Sequence, residues 1–528
     1  MDSDKLSAPE RALWQAFPRG ELVDLTKARG VRARSIRGEV ISSLLLGNDP
    51  GAQQGHVPAI RIEGARITGP LDLANAVIPG PVVLRHCEIQ ALVDMTAVRA
   101  RGINLEGSQL SGLLAPLAQI DGDLRLVGCT CLGQAVLTGA RISGALQMQR
   151  AHLDHSGEVA LLGNRLVVND DLLAQEAVVD GEFRLAGAQV GGMVGLDGAT
   201  FRHEGGRALN AFNLAVGAGL LARSGFSAAG EVALSGAKIE REVDFRGSTL
   251  ANPDGVALLA IGLQAGTYIA LSEGFSARGA VHLSRAKIGS EVYLSGGRFS
   301  NPGGDAIRCR YTVATTFVLD ADSMVEGTVD LRFSRFTDIR DHPSCWPATL
   351  RLSGLGYDTL DPPLPAADRI AWLSRDIDGY LPRNYETLAA MYRALGDDAS
   401  ARAIQLAKER ARRAQLAWYG RAWSWLQETT VGYGYRPLRA TVWLSAFLAL
   451  GTLAFGIHHP PPLQGSAHPA FNPFIYTLDL LVPLVGLGMR NSYDPQGPQR
   501  WLAYLLIAIG WIFVTTIAAG VLRVLRRQ

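Results

Sequence analysis

The chain has 528 residues, more than one compact core holds unless repeats stack. Its 51 Lys and Arg against 49 Asp and Glu leave a net charge of +2, which argues against a nucleic-acid partner for the chain as a whole and makes any basic function local. The five cysteines (Cys87, Cys129, Cys131, Cys309, Cys345) are odd in number and form no CxxC pair. That disfavours a disulfide framework or structural zinc and predicts small buried residues in a reducing compartment.

Residues 1–37 are expected to form a helical cap. The segment SAPERALWQAF opens with a capping-box pattern, Ser7 to Glu10, whose side chain and backbone groups satisfy each other at a helix start. Charges run through the first residues, where a signal peptide needs an apolar stretch, so the N-terminal region is expected in the cytoplasm.

From 38 to 356 the sequence repeats. GFSAAGEVALSGAKIEREVDFRGSTLANPDG, from Gly225, aligns with GFSARGAVHLSRAKIGSEVYLSGGRFSNPGG, from Gly274, at a constant offset of 49. Ala160, Ala208, Ala257 and Ala306 open successive copies. Inside each copy a unit of 10 or 11 residues, such as PLDLANAVIPG, alternates apolar and polar residues and then turns. This pattern predicts short strands and corners that bury their apolar side only by stacking, in a mainly β, parallel β-helix solenoid with coils about 4.8 Å apart. The small Ala before each branched residue (Ala237 and Ile239, Ala286 and Ile288) suits a narrow square interior. HSGE, RHEGG, NPDG and NPGG occur once per copy and are expected to project from one side, where a protein partner could dock. DHPSCWP, near Trp346, is expected to mark the far end, because an open β-stack needs both ends covered.

A Pro-rich linker (357–367) separates this domain from 368–430, where the period becomes helical. Tyr385, Leu388, Ala389, Tyr392, Gly396, Ala401 and Ile404 follow the spacing of one tetratricopeptide-like hairpin. Lys408, Arg410, Arg412, Arg413, Arg421, Arg436 and Arg439 are candidate contacts for anionic lipid headgroups. A membrane domain is expected over 431–528, with two transmembrane helices at 441–457 and 501–521. Arginines flank both spans on one side, so both termini are expected inside.

TTVGYG, at Thr429 to Gly434, matches the selectivity filter of potassium channels letter for letter. It lies before the first span, which places it outside any pore. A second candidate, FIYTLDLLVPLVGLG (474–488), lies between the spans and reads as a re-entrant pore loop or an interfacial helix. Its pore-loop residues would be Asp479, Leu484, Val485, Gly486, Leu487 and Gly488.

VGAGLLA, at Val216 to Ala222, matches a dinucleotide fingerprint but lacks the following helix. His152, His155, His458, His459 and His468 have no carboxylate or thiolate set around them. No catalytic residue, cofactor or metal site is expected, and the chain leans away from enzymes.

FPRGELVDL, the LxLxGAxIxG repeats, ETLAAMYRALGDDASARAIQLAKERARR, TVGYGYRPLRA and FNPFIYTLDLLVPLVGLG together resemble bacterial membrane proteins labelled membrane-associated oxidoreductase, and related pentapeptide-repeat membrane proteins. The resemblance implies an inner-membrane protein with a redox activity, yet no family motif places catalytic residues on this sequence. The leading expectation is a non-enzymatic β-helix docking or sensing platform, tethered to the bacterial inner membrane and contacting lipid. The alternatives are a homo-oligomeric two-span pore-loop channel gated by the β-helix, and the oxidoreductase.

Overall fold

The computed structural model describes residues 6–47, 57–414, 418, 437–463, 470–482 and 486–525, excepting the side chains of 414, 437–441 and 515–525. Two compact units, Met1–Thr387 and Leu388–Gln528, are taken in turn.

The first unit is a parallel β-solenoid of about 14 turns. Each turn contributes short strands to four ladders, grouped into a 25-stranded and an 18-stranded sheet. One ladder runs Ile60, Val82, Ile103, Leu124 and Leu146 in register, all buried. Alternation within a strand sends one side chain inward and the next outward, so stacked coils assemble one continuous apolar interior.

Coil length explains the 49-residue period. Val243 pairs with Ile269 and Ile269 with Val292, so coils of 26 and 23 residues alternate. The longer coil carries an 11-residue strand with an excursion, as in His152–Leu162, Thr200–Asn210, Thr249–Leu259 and Arg298–Arg308. The shorter carries a 7-residue strand, as in Ser276–His282. HSGE, RHEGG, NPDG and NPGG therefore fall on one side, two coils apart. Two of the bulges, NPDG and NPGG, are closed locally: the amides of Asn252 and Asn301 donate to the carbonyls of Val256 and Asp305 at 2.9 Å. Gly279, at φ +109, sits beside one bulge, and a Cβ there would lie 2.2 Å from the Asn252 carbonyl oxygen.

The interior is aliphatic in the early coils and aromatic later. Phe183, Phe201, Phe226 and Phe245 meet from coil to coil, the first pair stacked, the second edge to face and the third tilted, with ring centroids 5.0, 5.5 and 6.1 Å apart. Phe275–Phe299 and Phe317–Phe336 continue the series at 5.5 and 5.2 Å.

Both ends are covered. Helix α1 (Ala8–Ala16) begins with the expected capping box between Ser7 and Glu10. Glu10 is buried and also accepts from the Arg37 guanidinium at 2.8 and 2.9 Å. The N-terminal region is not purely helical. Besides α2 (Val31–Arg34) and α3 (Gly38–Leu45), it holds Val23–Asp24 and Ser35–Arg37, which pair with the next coil. At the far end Trp346 stacks on Phe317 at 6.3 Å and meets Trp372 of α4 (Ala366–Leu373) at a tilt, 5.6 Å away. Arg369 of α4 is fully buried and donates to both oxygens of Asp341 at 2.6 and 2.8 Å. The ladder continues to Thr359–Asp361, so part of the expected linker belongs to the sheet.

Helices α5 (Pro382–Ala394) and α6 (Asp398–Ala414) form the helical hairpin. Leu388, Ala389, Tyr392, Ala401 and Ile404 are buried, and Gly396, at φ +78, makes the turn. The second unit also contains α7 (Pro437–Ile457), α8 (Pro473–Leu481) and α9 (Pro498–Leu525). Among the described residues no helix is long and apolar enough to cross a membrane. The expected spans 441–457 and 501–521 fall within α7 and α9 but do not stand as transmembrane helices on those residues, because the side chains of 441 and 515–521 lie outside them.

Candidate functional site

The segment expected to re-enter the membrane is the short helix α8, packed against both α7 and α9. Its start is set by Asn472, whose side-chain oxygen accepts from the backbone N–H groups of Phe474 and Ile475 at 3.0 and 3.2 Å. Pro473 follows at the first helical position, where a missing N–H costs nothing.

Small residues allow the close packing. A Cβ on Gly451 of α7 would lie 2.4 Å from Thr477 Cγ2, and one on Gly510 of α9 would lie 2.2 Å from the Leu481 carbonyl oxygen. Backbones thus approach where side chains are absent, the mode of helix association that works without a hydrophobic drive. The hydroxyls of Thr452 and Thr477 donate to carbonyls within their own helices at 2.7 and 2.8 Å. Phe455 and Tyr476 meet edge to face at 5.0 Å and, with Leu480 and Leu506, complete the buried cluster.

Asp479 is buried, and the backbone N–H groups of Leu487 and Arg490 donate to its two carboxylate oxygens at 2.9 and 2.8 Å. Charge-assisted bonds of this kind compensate the desolvation of a buried carboxylate. Asp479 therefore clasps the chain that follows α8 back onto the helix. Gly486 and Leu487 are exposed, Gly488 takes φ +81, and Leu484 and Val485 lie outside the described residues. The loop ends are tied by an antiparallel bridge between Pro462 and Tyr493.

Helices α7 and α9 expose large apolar side chains. Val442, Leu453 and Ile457 of α7 are 68%, 63% and 65% exposed, and Trp501 of α9 is 76% exposed. A groove of about 710 Å³ beside α7 and α8 is lined by Leu448, Thr452, Gly456, Asn472 and Phe474 among others.

Of the candidate lipid contacts, Lys408, Arg410, Arg412 and Arg413 lie on α6, where Arg412 pairs with Glu409 at 3.7 Å. Arg421, Arg436, the side chain of Arg439 and TTVGYG lie outside the described residues.

VGAGLLA forms two 2-residue strands of the solenoid, Ala215–Val216 and Leu220–Leu221, with no helix after them. A Cβ on Gly217 would meet the Gly191 carbonyl oxygen at 2.1 Å, so this glycine serves the packing of a coil corner. His152 meets Asp180 at 3.0 Å and His155 meets Glu158 at 2.9 Å. Among the described residues no group of three His, Cys, Asp or Glu is placed to hold a metal ion. The five cysteines are free and buried. Burial pushes the thiols up, to about 11 for Cys87 and about 12 for Cys129 and Cys345, with Cys131 and Cys309 shifted the same way. None is poised as a thiolate nucleophile.

Sequence reasoning singled out Asp479 as a pore-loop residue and missed its role as a clasp, together with the packing glycines Gly451 and Gly510. Glycines inside otherwise apolar helices were the available signal. Comparison with known protein families, curated proteins and solved structures finds no match to this chain.

Proposed function

We propose that this chain is a non-enzymatic docking or sensing platform in which a β-solenoid displays its faces to a partner and the α7–α9 hairpin holds it in a membrane. The outward-facing apolar surface of α7 and α9 carries this reading. Leaving that surface in water costs about 25 cal/mol per Å², whereas hydrocarbon removes the cost. The 21 residues of α7 reach about 31 Å at 1.5 Å per residue, close to the thickness of a bilayer core. The resemblance to bacterial membrane proteins supports the same location, with both termini on the cytoplasmic side. The raised thiols and the coil-corner role of Gly217 favour a platform over a redox enzyme.

The test is extraction of the full chain from membranes at alkaline pH, combined with reporters at Met1, Ser466 and Gln528. The protein is expected to stay with the lipid, with Met1 and Gln528 on one side and Ser466 on the other. Release into the soluble fraction, or termini on opposite sides, overturns the reading.

A further inference from the structure

One outward column of the solenoid carries cations that no acid answers. Arg99, Gln119 and Arg141 stand in register on three successive coils. Lys238, Gln264 and Lys287 repeat the arrangement farther along the same ladder. All six are exposed, and each triad lies along a groove, of about 470 Å³ for the first and 400 Å³ for the second. The positions between the triads are Val167, Gln189 and Ala215, and the column continues through Val313 to Arg335. No carboxylate stands in the column. The acids at its edge are Asp121, which accepts from the Ser143 hydroxyl at 3.2 Å, and Glu240.

Several cations elsewhere on the solenoid are answered by a carboxylate. Arg184, Arg223, Arg246, Arg308 and Arg332 each lie 2.5–2.8 Å from a carboxylate. On another ladder Arg66 is met by Glu88 of the next coil at 3.4 Å. Arg99, Arg141, Lys238, Lys287 and Arg335 form no ion pair with any described residue. A row of like charges on one face is held at a cost in mutual repulsion that a bound anion removes.

We propose that this column binds an acidic, extended peptide segment of a partner protein, running along the solenoid axis in polyproline II conformation. Within each triad the cations are two coils apart, about 9.5 Å. A polyproline II chain rises about 3.1 Å per residue with three residues per turn, so every third side chain returns to one face after about 9.3 Å. An acidic residue at every third position therefore meets successive cations with a mismatch of only about 0.2 Å per turn. Polyproline II leaves its peptide groups without internal hydrogen bonds, and the glutamine amide at the centre of each triad offers both a donor and an acceptor to them. Single-stranded nucleic acid would call for aromatic platforms under its bases, and neither triad contains one. A flat bilayer surface would not enter a groove.

The inference rests on the docking-platform reading but not on the membrane anchor, so it is tested on the full chain in neutral detergent. A labelled peptide of about five Glu-Pro-Pro units is titrated by fluorescence anisotropy against a Gln-Pro-Pro peptide of equal length, oligothymidylate and anionic vesicles. The Glu peptide is expected to bind and the Gln peptide to fail. The double changes Arg99→Glu with Arg141→Glu, and Lys238→Glu with Lys287→Glu, should each weaken binding about tenfold or more, with the circular dichroism unchanged. Arg61→Glu, on another ladder, should leave binding intact. Absence of Glu-peptide binding, or binding indifferent to both double changes, overturns the proposal. Tighter binding of oligothymidylate or vesicles that is lost in the same variants also overturns it, in favour of nucleic acid or lipid.

Discussion

The solenoid and the α7–α9 hairpin both bury apolar residues but differ in what they leave outside. In the solenoid Leu, Ile, Val and Phe point inward, and charged groups occupy the surface or pair at its margin, as Asp244 does with Arg246 at 2.6 Å. In the hairpin the interior admits Gly451, Thr477 and Gly510, while Leu453, Ile457 and Trp501 face outward. Under the proposed membrane anchor, the contrast reflects two solvents. Water drives large apolar groups together; in hydrocarbon that drive is absent, and close backbone packing and internal hydrogen bonds would hold such helices instead.

Damage to one region should leave the other intact. The largest effect is expected from Arg369→Leu in the solenoid cap. It leaves the buried Asp341 carboxylate without its cation, with only the Trp346 indole N–H still donating to it, and should cost about 3–5 kcal/mol, seen as a lower urea midpoint and faster proteolysis of the solenoid, with membrane retention unchanged. The reverse pattern should follow Gly510→Val. The added side chain meets the Leu481 backbone, and overpacking of about 1–3 kcal/mol should raise hydrogen exchange in α8 while the solenoid keeps its urea midpoint.

Asp479→Ala sharpens the same comparison, because it removes a hydrogen-bonding clasp without adding bulk. A loss of about 2 kcal/mol is expected, with faster amide exchange localised to Leu487 and Arg490. A smaller effect is expected at the N-terminal cap and depends on pH. Burial alone would raise the Glu10 pKa, but hydrogen bonds from Arg37 and the Ser7 backbone outweigh it and hold the group down at about 2, against an ordinary 4.5. A depressed folded-state pKa contributes stability that is complete above about 4.5 and fades as pH falls toward 2. Glu10→Gln should flatten the stability profile in that window, as read by urea unfolding at stepped pH.

The smallest change concerns a corner. Leu117 adopts φ 59, a left-handed conformation that costs a side-chain-bearing residue about 1–2 kcal/mol. Leu117→Gly relieves that strain but also gives up some unfolded-state rigidity. A net gain below about 1 kcal/mol is expected in thermal unfolding, with no effect on the hairpin.

The sequence by itself determined the architecture of the solenoid, because alternation and corner residues act over a few positions. The capping box at Ser7 and Glu10 and the buried cysteines were legible for the same reason. Only the tertiary structure brought Arg99, Gln119 and Arg141 into one column. Coil lengths vary between about 20 and 26 residues along that ladder, so no constant spacing marks these side chains as neighbours. It also joined Arg369 to Asp341, across 28 residues, and closed the Asp479 carboxylate on the N–H groups of Leu487 and Arg490. Contacts of this kind depend on where the chain returns to itself, and that is decided by the packing of whole coils and helices rather than by local pattern.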